Sequence, residues 1–268
     1  MRTWTFILFA LFWSCQNPFS VPEPPPIENR LEGKKAYPSA LENGKFFTKN
    51  GERFLYGGED SAMHFQVSNL ILNESQFHFG KGRESFPALI QPKYHSIHEA
   101  DSIWSDTSLF LLAEIQGEVK AWSIKDLTRH ELINDSLGNT PVAVVYCILA
   151  DFPGVYTRKY GDQVLTFGLS GYTYYDEIVM MGLDGFILWD RETESLWWPL
   201  INKAVAGPLN QVPMLKLPKR FWKTLEWKDL KSSYPHAQIL IPGQDYKGPI
   251  HWKDSLDTEV IKSKYLKN

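Results

Sequence analysis

From Phe46 onward, apolar and polar residues alternate over stretches of four to nine positions, and each stretch ends at glycine, proline, asparagine or aspartate. A period of two places one face of a strand inward, whereas an amphipathic helix requires a repeat near 3.6, which no long run of this chain sustains. "SLFLLAEIQGEVKAW" reads as two strands hinged at Gln116-Gly117, "QVLTFGLSGYTYY" as a strand interrupted by Gly168 and Gly171, and "EIVMMGLDGFILWD" as a hairpin turning at Asp184-Gly185. "ERFLYGGED" breaks at its Gly-Gly pair, and "HAQILIPGQ" closes the body. Short helices are predicted at Ile124 to Thr128, near "TESLWW", and within "RFWKTLEWKDLKSSY". The pattern predicts a mainly β, β-rich α+β fold: a single compact domain of short antiparallel strands over 46–243, with a few short edge helices and a C-terminal extension over 244–268. No internal repeat is visible.

The strongest β signal is "HELINDSLGNTPVAVVYC", His130 to Cys147, in which an alternating segment meets a β-branched run across "LGN". A loop centred on Leu137-Gly138 sets His130 opposite Val145, with Cys147 on the same face, roughly 7 to 8 Å away on the diagonal. An odd-numbered loop sends Cys147 to the opposite face, because side chains alternate. Thr128-x-x-Glu131 also fits a capping box, so a helix start is the competing expectation.

The first residues change the picture of where this body resides. Arg2 precedes an apolar run from Trp4 to Trp13, then Ser14 and Cys15. That run is about half of the ~20 residues a spanning helix requires, so 1–14 reads as an export signal peptide. A cysteine directly after it resembles a bacterial lipoprotein processing site, which makes Cys15 the expected lipidation point. Four prolines between Val21 and Ile27 stiffen the tether expected over 15–40. The expected address is extracytoplasmic, in the bacterial cell envelope, with the membrane as partner through the lipid. With Cys15 modified, Cys147 is the lone thiol and no internal disulfide forms.

Composition excludes one partner class. The net charge is -3, and the Lys and Arg residues are dispersed, so nucleic acid is not expected. Candidate chemistry centres on His130 and Cys147. Imidazole and thiolate together suit copper or zinc, with a further ligand required from His64, His78, His95, His98, His236, His251, Met180 or Met181. The same pair suits a cysteine nucleophile oriented by Glu131, Asp135 or Asp151, although Ile148 and Leu149 make an apolar setting that would raise the thiol's pKa. His95 and His98 have the separation of one helical turn. "FGLSG" lacks the second glycine position of a nucleophile elbow, and its glycines fit close strand packing. The ten tryptophans offer either stacking platforms for a ligand or core filling, and Trp197 and Trp198, adjacent in a strand, are expected to face opposite ways. "DRETESLW" reads as a solvated turn or an internal ion pair.

Five segments in order, "FPALIQPKY", "GEVKAWSIKDLTRHELINDSLGNTPVAVVYC", "FGLSG", "DRETESLW" and "AGPL", resemble domain-of-unknown-function family 3179 over Phe86 to Ile241. The resemblance implies one compact domain and no settled activity. It places His130, Glu131, Asn134, Asp135 and Cys147 in the most characteristic segment. Their chemistry makes them the expected binding centre of a ligand- or ion-binding module, with an enzyme or a structural role as alternatives. The usual form has a second cysteine three residues after the first, where this chain has Ala150, so a two-cysteine redox or metal site is excluded. Residues "MGLDGFILW" read as extra relative to the usual form.

Overall fold

The computed structural model describes residues 42–176, 178–179, 184–246, 248 and 256–266. The leader 1–14, Cys15 and its tether to residue 40, Met180, Met181 and His251 lie outside the described residues. The described chain is mainly β. Among the described residues no helix is long and apolar enough to cross a membrane.

Alternation along each strand builds a stack of sheets in which the middle and wide sheets have an apolar cluster on each face. A middle sheet orders Phe152–Thr157, Thr140–Cys147, Leu132–Leu137 and Leu89–Ile90. Its Leu132, Ala143 and Val145 face one apolar cluster, while Ile133, Val142, Val144 and Val155 face another. The first cluster is closed by a six-stranded wide sheet, whose Leu169, Phe186, Leu188 and Trp197 point toward it. The wide sheet's other residues, among them Tyr172, Tyr174, Trp189 and Trp198, meet Leu55 and Phe65 of a small three-stranded sheet. On the far side, Leu111, Ala113 and Trp122 of a five-stranded sheet close the second cluster, and its reverse face packs Phe110, Leu112 and Ala121 against α3 (Trp227–Ser233).

This layering explains the tryptophans. Trp197 and Trp198 do face opposite ways, yet both are fully buried, because the strand Leu196–Trp198 has a core on each side. Trp189, Trp222 and Trp227 are buried as well, so all five serve as core and none is a stacking platform. Several expectations are corrected in the same way. "TESLWW" is a turn and a strand, and Trp222–Glu226 is a strand that precedes α3. Asp184-Gly185 is not a turn but the start of the strand Asp184–Asp190, which runs between Phe167–Tyr175 and Leu196–Trp198. The C-terminal extension includes α4 (Thr258–Tyr265), whose Ile261 is buried in the cluster between the wide and middle sheets.

The central hairpin forms with Gly138-Asn139 as a two-residue turn, pairing Leu137 with Thr140 and Leu132 with Val145. Gly138 has φ 57° at the first turn position, where a type II′ turn takes glycine. The register thus differs by two residues from a loop centred on Leu137-Gly138, an even step that leaves every side chain on its expected face. The segment before it is not a strand. Ser123 caps α2 (Ile124–His130) by accepting the Asp126 N–H, and Thr128 lies inside that helix and not at its start. Glu131 then turns left-handed at φ 56° and closes the helix through its N–H to Leu127 O.

Candidate functional site

The five candidate residues separate into two groups because of that helix end. His130 is the last residue of α2, and its Nδ1 lies 2.8 Å from Pro87 O. Glu131 extends the hairpin ladder with its carbonyl, which accepts the Tyr146 N–H. Its buried carboxyl is pushed up to about 7 by burial, a shift opposed by the Ile148 N–H. Cys147 is fully buried in the cluster between middle and wide sheets. Burial pushes its thiol up to about 11, and the charge of Glu131 adds to that, against the N–H groups of Phe186, Ala150 and Leu149. No hydrogen bond links His130 to Cys147 among the described residues, and no three of His, Cys, Asp and Glu gather there as a metal-holding set. Two of the other histidines are engaged elsewhere: His78 with Asp184 at 2.7 Å, and His64 accepting the Gly57 N–H. His95 ends the strand Tyr94–His95, whereas His98 lies in α1 (Ile97–Ala100), which Ser96 caps, so the two do not share one helix face.

Asn134 and Asp135 occupy a different place and point to opposite sides of the middle sheet. Asn134 pairs with Ala143, so Cys147 lies four residues further along, about 13 Å at ~3.3 Å per residue. The Asn134 amide donates to Phe167 O at 2.8 Å and accepts the Phe167 N–H at 2.9 Å, a side chain completing a ladder between middle and wide sheets. Asp135 makes the matching link to the far sheet. Its Oδ1 accepts from Lys120 Nζ at 3.1 Å and from the Ser136 N–H at 2.7 Å, and its Oδ2 accepts the Tyr94 hydroxyl. Tyr94 in turn accepts the Trp122 indole N–H at 2.9 Å. The Asn-Asp pair therefore bolts three layers together at one point.

A cleft opens at that point. The strand Leu89–Ile90 pairs with Ile133 and Asn134 and stops there, while the Ile90 N–H bonds Tyr246 O, so the edge at Asp135 and Ser136 is left for Ile90, Gln91, Pro92 and Tyr94 to face across a space of about 440 Å³. Lys120, Arg158 and Thr166 complete its wall. Arg158 is fixed by three carbonyls, Val142 O at 3.1 Å, Leu165 O at 2.8 Å and Asp135 O at 3.0 Å. Burial draws its guanidinium down to about 10, opposed by the charges of Glu192 and Asp135. Arg158 and Thr166 were not legible as site residues, since nothing in their local spacing marks them. Tyr94 and Lys120 had a signal, for they belong to the segments "FPALIQPKY" and "GEVKAW". A second cleft of about 380 Å³ shares Tyr94 and is lined by His95 and His236.

The remaining motif residues hold this frame. Arg191 pairs with Glu84 at 2.8 Å, Arg83 with Glu194 at 2.9 Å, and the Arg83 guanidinium lies 3.5 Å from the Trp189 ring. Asp190 accepts from Thr193 and from the Trp197 indole, so "DRETESLW" is an internal ion-pair and turn motif. Glycine is required at 168 because a Cβ there would stand 2.2 Å from Glu84 Oε1. Ser170 is buried and donates to Ile187 O, which rules out a nucleophile elbow.

No curated protein and no solved structure matches the chain. The family model described as "Protein of unknown function (DUF3179)" matches residues 83–251, the span that supplies every lining residue of the 440 Å³ cleft, and the chain belongs to that family.

Proposed function

We propose that this is an exported protein, held at the cell envelope by a lipid on Cys15, whose DUF3179 domain binds a small polar ligand in the cleft beside Asn134 and Asp135. The observation that carries the binding role is the cleft itself. Its volume of about 440 Å³ falls in the range of small-molecule sites, and its polar wall is held rigid by Asp135, Lys120 and Tyr94 before any ligand arrives. Ile90, Pro92 and Tyr94 supply apolar surface beside these polar groups, the mixture that orients a ligand while removing its carbon atoms from water. A binding role is favoured over a cysteine nucleophile because the only described thiol is buried and has no base bonded to it. Export is supported by the apolar run Trp4 to Trp13 ahead of Cys15.

The test is a thermal-shift screen of the full chain against small polar compounds, run in parallel on Ser136→Trp, whose exposed side chain fills the cleft. At least one compound class is expected to raise the Tm of the wild type and to leave the variant unmoved. Equal shifts in both proteins, or none in either, would sink the binding role.

A further inference from the structure

We infer that the ligand of this cleft carries a carboxylate and that Arg158 is the group that grips it; this rests on the cleft being a ligand site. The inference follows from how the two cations of the wall are compensated. Lys120 has three donors and three acceptors around it: Asp135 Oδ1 at 3.1 Å, Ser136 O at 2.7 Å and Glu118 Oε1 at 3.5 Å. Two of these are carboxylates, so the ammonium is balanced within the protein. Arg158 is not. Its three hydrogen bonds end on carbonyls, and among the described residues no carboxylate lies within ion-pair distance of it. Glu192, whose charge acts on it most strongly, is instead turned to the Thr166 N–H at 2.7 Å, and burial pushes that acid up to about 7, so near neutrality it is only partly ionised.

A guanidinium has five N–H groups, and three are occupied here, which leaves two on the terminal nitrogens of a side chain that lines the cleft. Two N–H groups on a planar cation match the two oxygens of a carboxylate, the pairing arginine makes with the best geometry. The carbonyls already hold the guanidinium in place, so little side-chain freedom is lost on binding. Ser136, whose hydroxyl makes no hydrogen bond among the described residues, is placed in the same wall to orient the ligand. A phosphate monoester is the poorer match. It carries nearly two charges near neutrality, and its second charge would sit unmatched beside Asp135. The ligand class is therefore a small organic acid with an apolar body toward Ile90, Pro92 and Tyr94.

The decisive experiment titrates the full-length protein calorimetrically with matched pairs that differ only in charge, propionate with propionamide and benzoate with benzamide, at low and at raised ionic strength. Inorganic phosphate is titrated separately. The expected result is that an acid binds roughly tenfold or more tightly than its amide, that salt narrows the gap, and that Arg158→Gln abolishes it. Because Arg158 also bonds three carbonyls, Arg158→Gln is first checked for folding by circular dichroism, and Arg158→Lys, which keeps the charge without the planar pair of N–H groups, and Lys120→Gln are titrated beside it; the wild-type acid-to-amide ratio decides the carboxylate class, and a ratio lost in Lys120→Gln but kept in Arg158→Lys overturns the role of Arg158. Equal affinities within each pair overturn the carboxylate assignment, as does phosphate binding more tightly than any of the acids. If neutral compounds bind in the cleft and acids do not, only this inference falls. If none of the acids, amides or neutral compounds binds, the ligand-site reading falls with it.

Discussion

At the scale of single residues, the thiol at 147 shows how one backbone angle decides a site. Had the chain continued as a strand before Leu132, the observed register would have placed position 130 directly across from Cys147. Instead α2 ends at His130, Glu131 takes φ 56°, and the imidazole turns to Pro87 O. What remains at Cys147 is a sulfur between two sheets, with its pKa raised to about 11 by burial. At pH 8 only about one thiol in a thousand would be ionised, and the ionised form is the nucleophile. The lipid proposed on Cys15 would consume the other thiol of the chain. Ellman's reagent added to the native protein from the envelope fraction is therefore expected to find no reactive thiol within minutes, and one after unfolding in urea. Two thiols after unfolding would contradict the lipid on Cys15. One that reacts at once in the native state would return Cys147 to consideration as a nucleophile.

At the scale of elements, the hairpin Leu132–Leu137 with Thr140–Cys147 is held from both sides by adjacent side chains of one strand. Asn134→Ala removes both bonds to Phe167 and leaves a buried N–H and a buried C=O unpaired. At about 1–3 kcal/mol for each stranded group, the loss is expected to be on the order of 2–5 kcal/mol. Asn134→Asp keeps the acceptor for the Phe167 N–H and loses the donor, so it is expected to fall between Asn134→Ala and the wild type. Urea melts of the three proteins check the order; an Asn134→Ala midpoint within error of wild type would show that the inter-sheet link carries no weight. This geometry also explains what was legible in the sequence. The period-two pattern located the hairpin, its face assignment and the mainly β class, because alternation is a local property. It put Asn134 and Asp135 in the right segment without saying that they face different sheets toward different partners, Phe167 and Lys120. Those partners are set by the stacking of layers distant in sequence. The end of α2 was misread for a related reason: Glu131 suits a strand, a cap or a left-handed turn, and only its N–H on Leu127 O, made at φ 56°, decides among them. Arg158 was invisible because its role depends on three carbonyls and on a missing carboxylate, neither of which leaves a trace in spacing.

At the scale of the whole molecule, a middle and a wide sheet buried on both faces leave few places for charge, and several acids are enclosed without a full counter-charge. Glu131 and Glu192 are each pushed up to about 7, and Asp190 to about 6, with burial the largest cause in all three. The ordinary values in the unfolded chain are 4.5 for the two glutamates and 3.8 for the aspartate. Below about pH 4 both states are protonated and these groups cost nothing. As pH rises through 4.5 the unfolded chain releases its protons first while the folded chain keeps them, so unfolding becomes progressively more favourable until the folded acids ionise near 7. The stability these acids contribute in protonated form is thus lost between about pH 4 and 7, by roughly 2–4 kcal/mol for each glutamate. Lys216, drawn down to about 8 chiefly by burial, acts in the opposite sense only above that pH. The full chain is therefore expected to show a higher urea midpoint at pH 5.5 than at pH 7.5. Glu131→Gln should flatten that slope, since the amide cannot ionise and keeps an oxygen for the Ile148 N–H. A midpoint that is constant or rises between those two values would mean that the enclosed carboxyls are charged in the native state. It would also remove the ground for treating Glu192 as a weak counter-charge to Arg158.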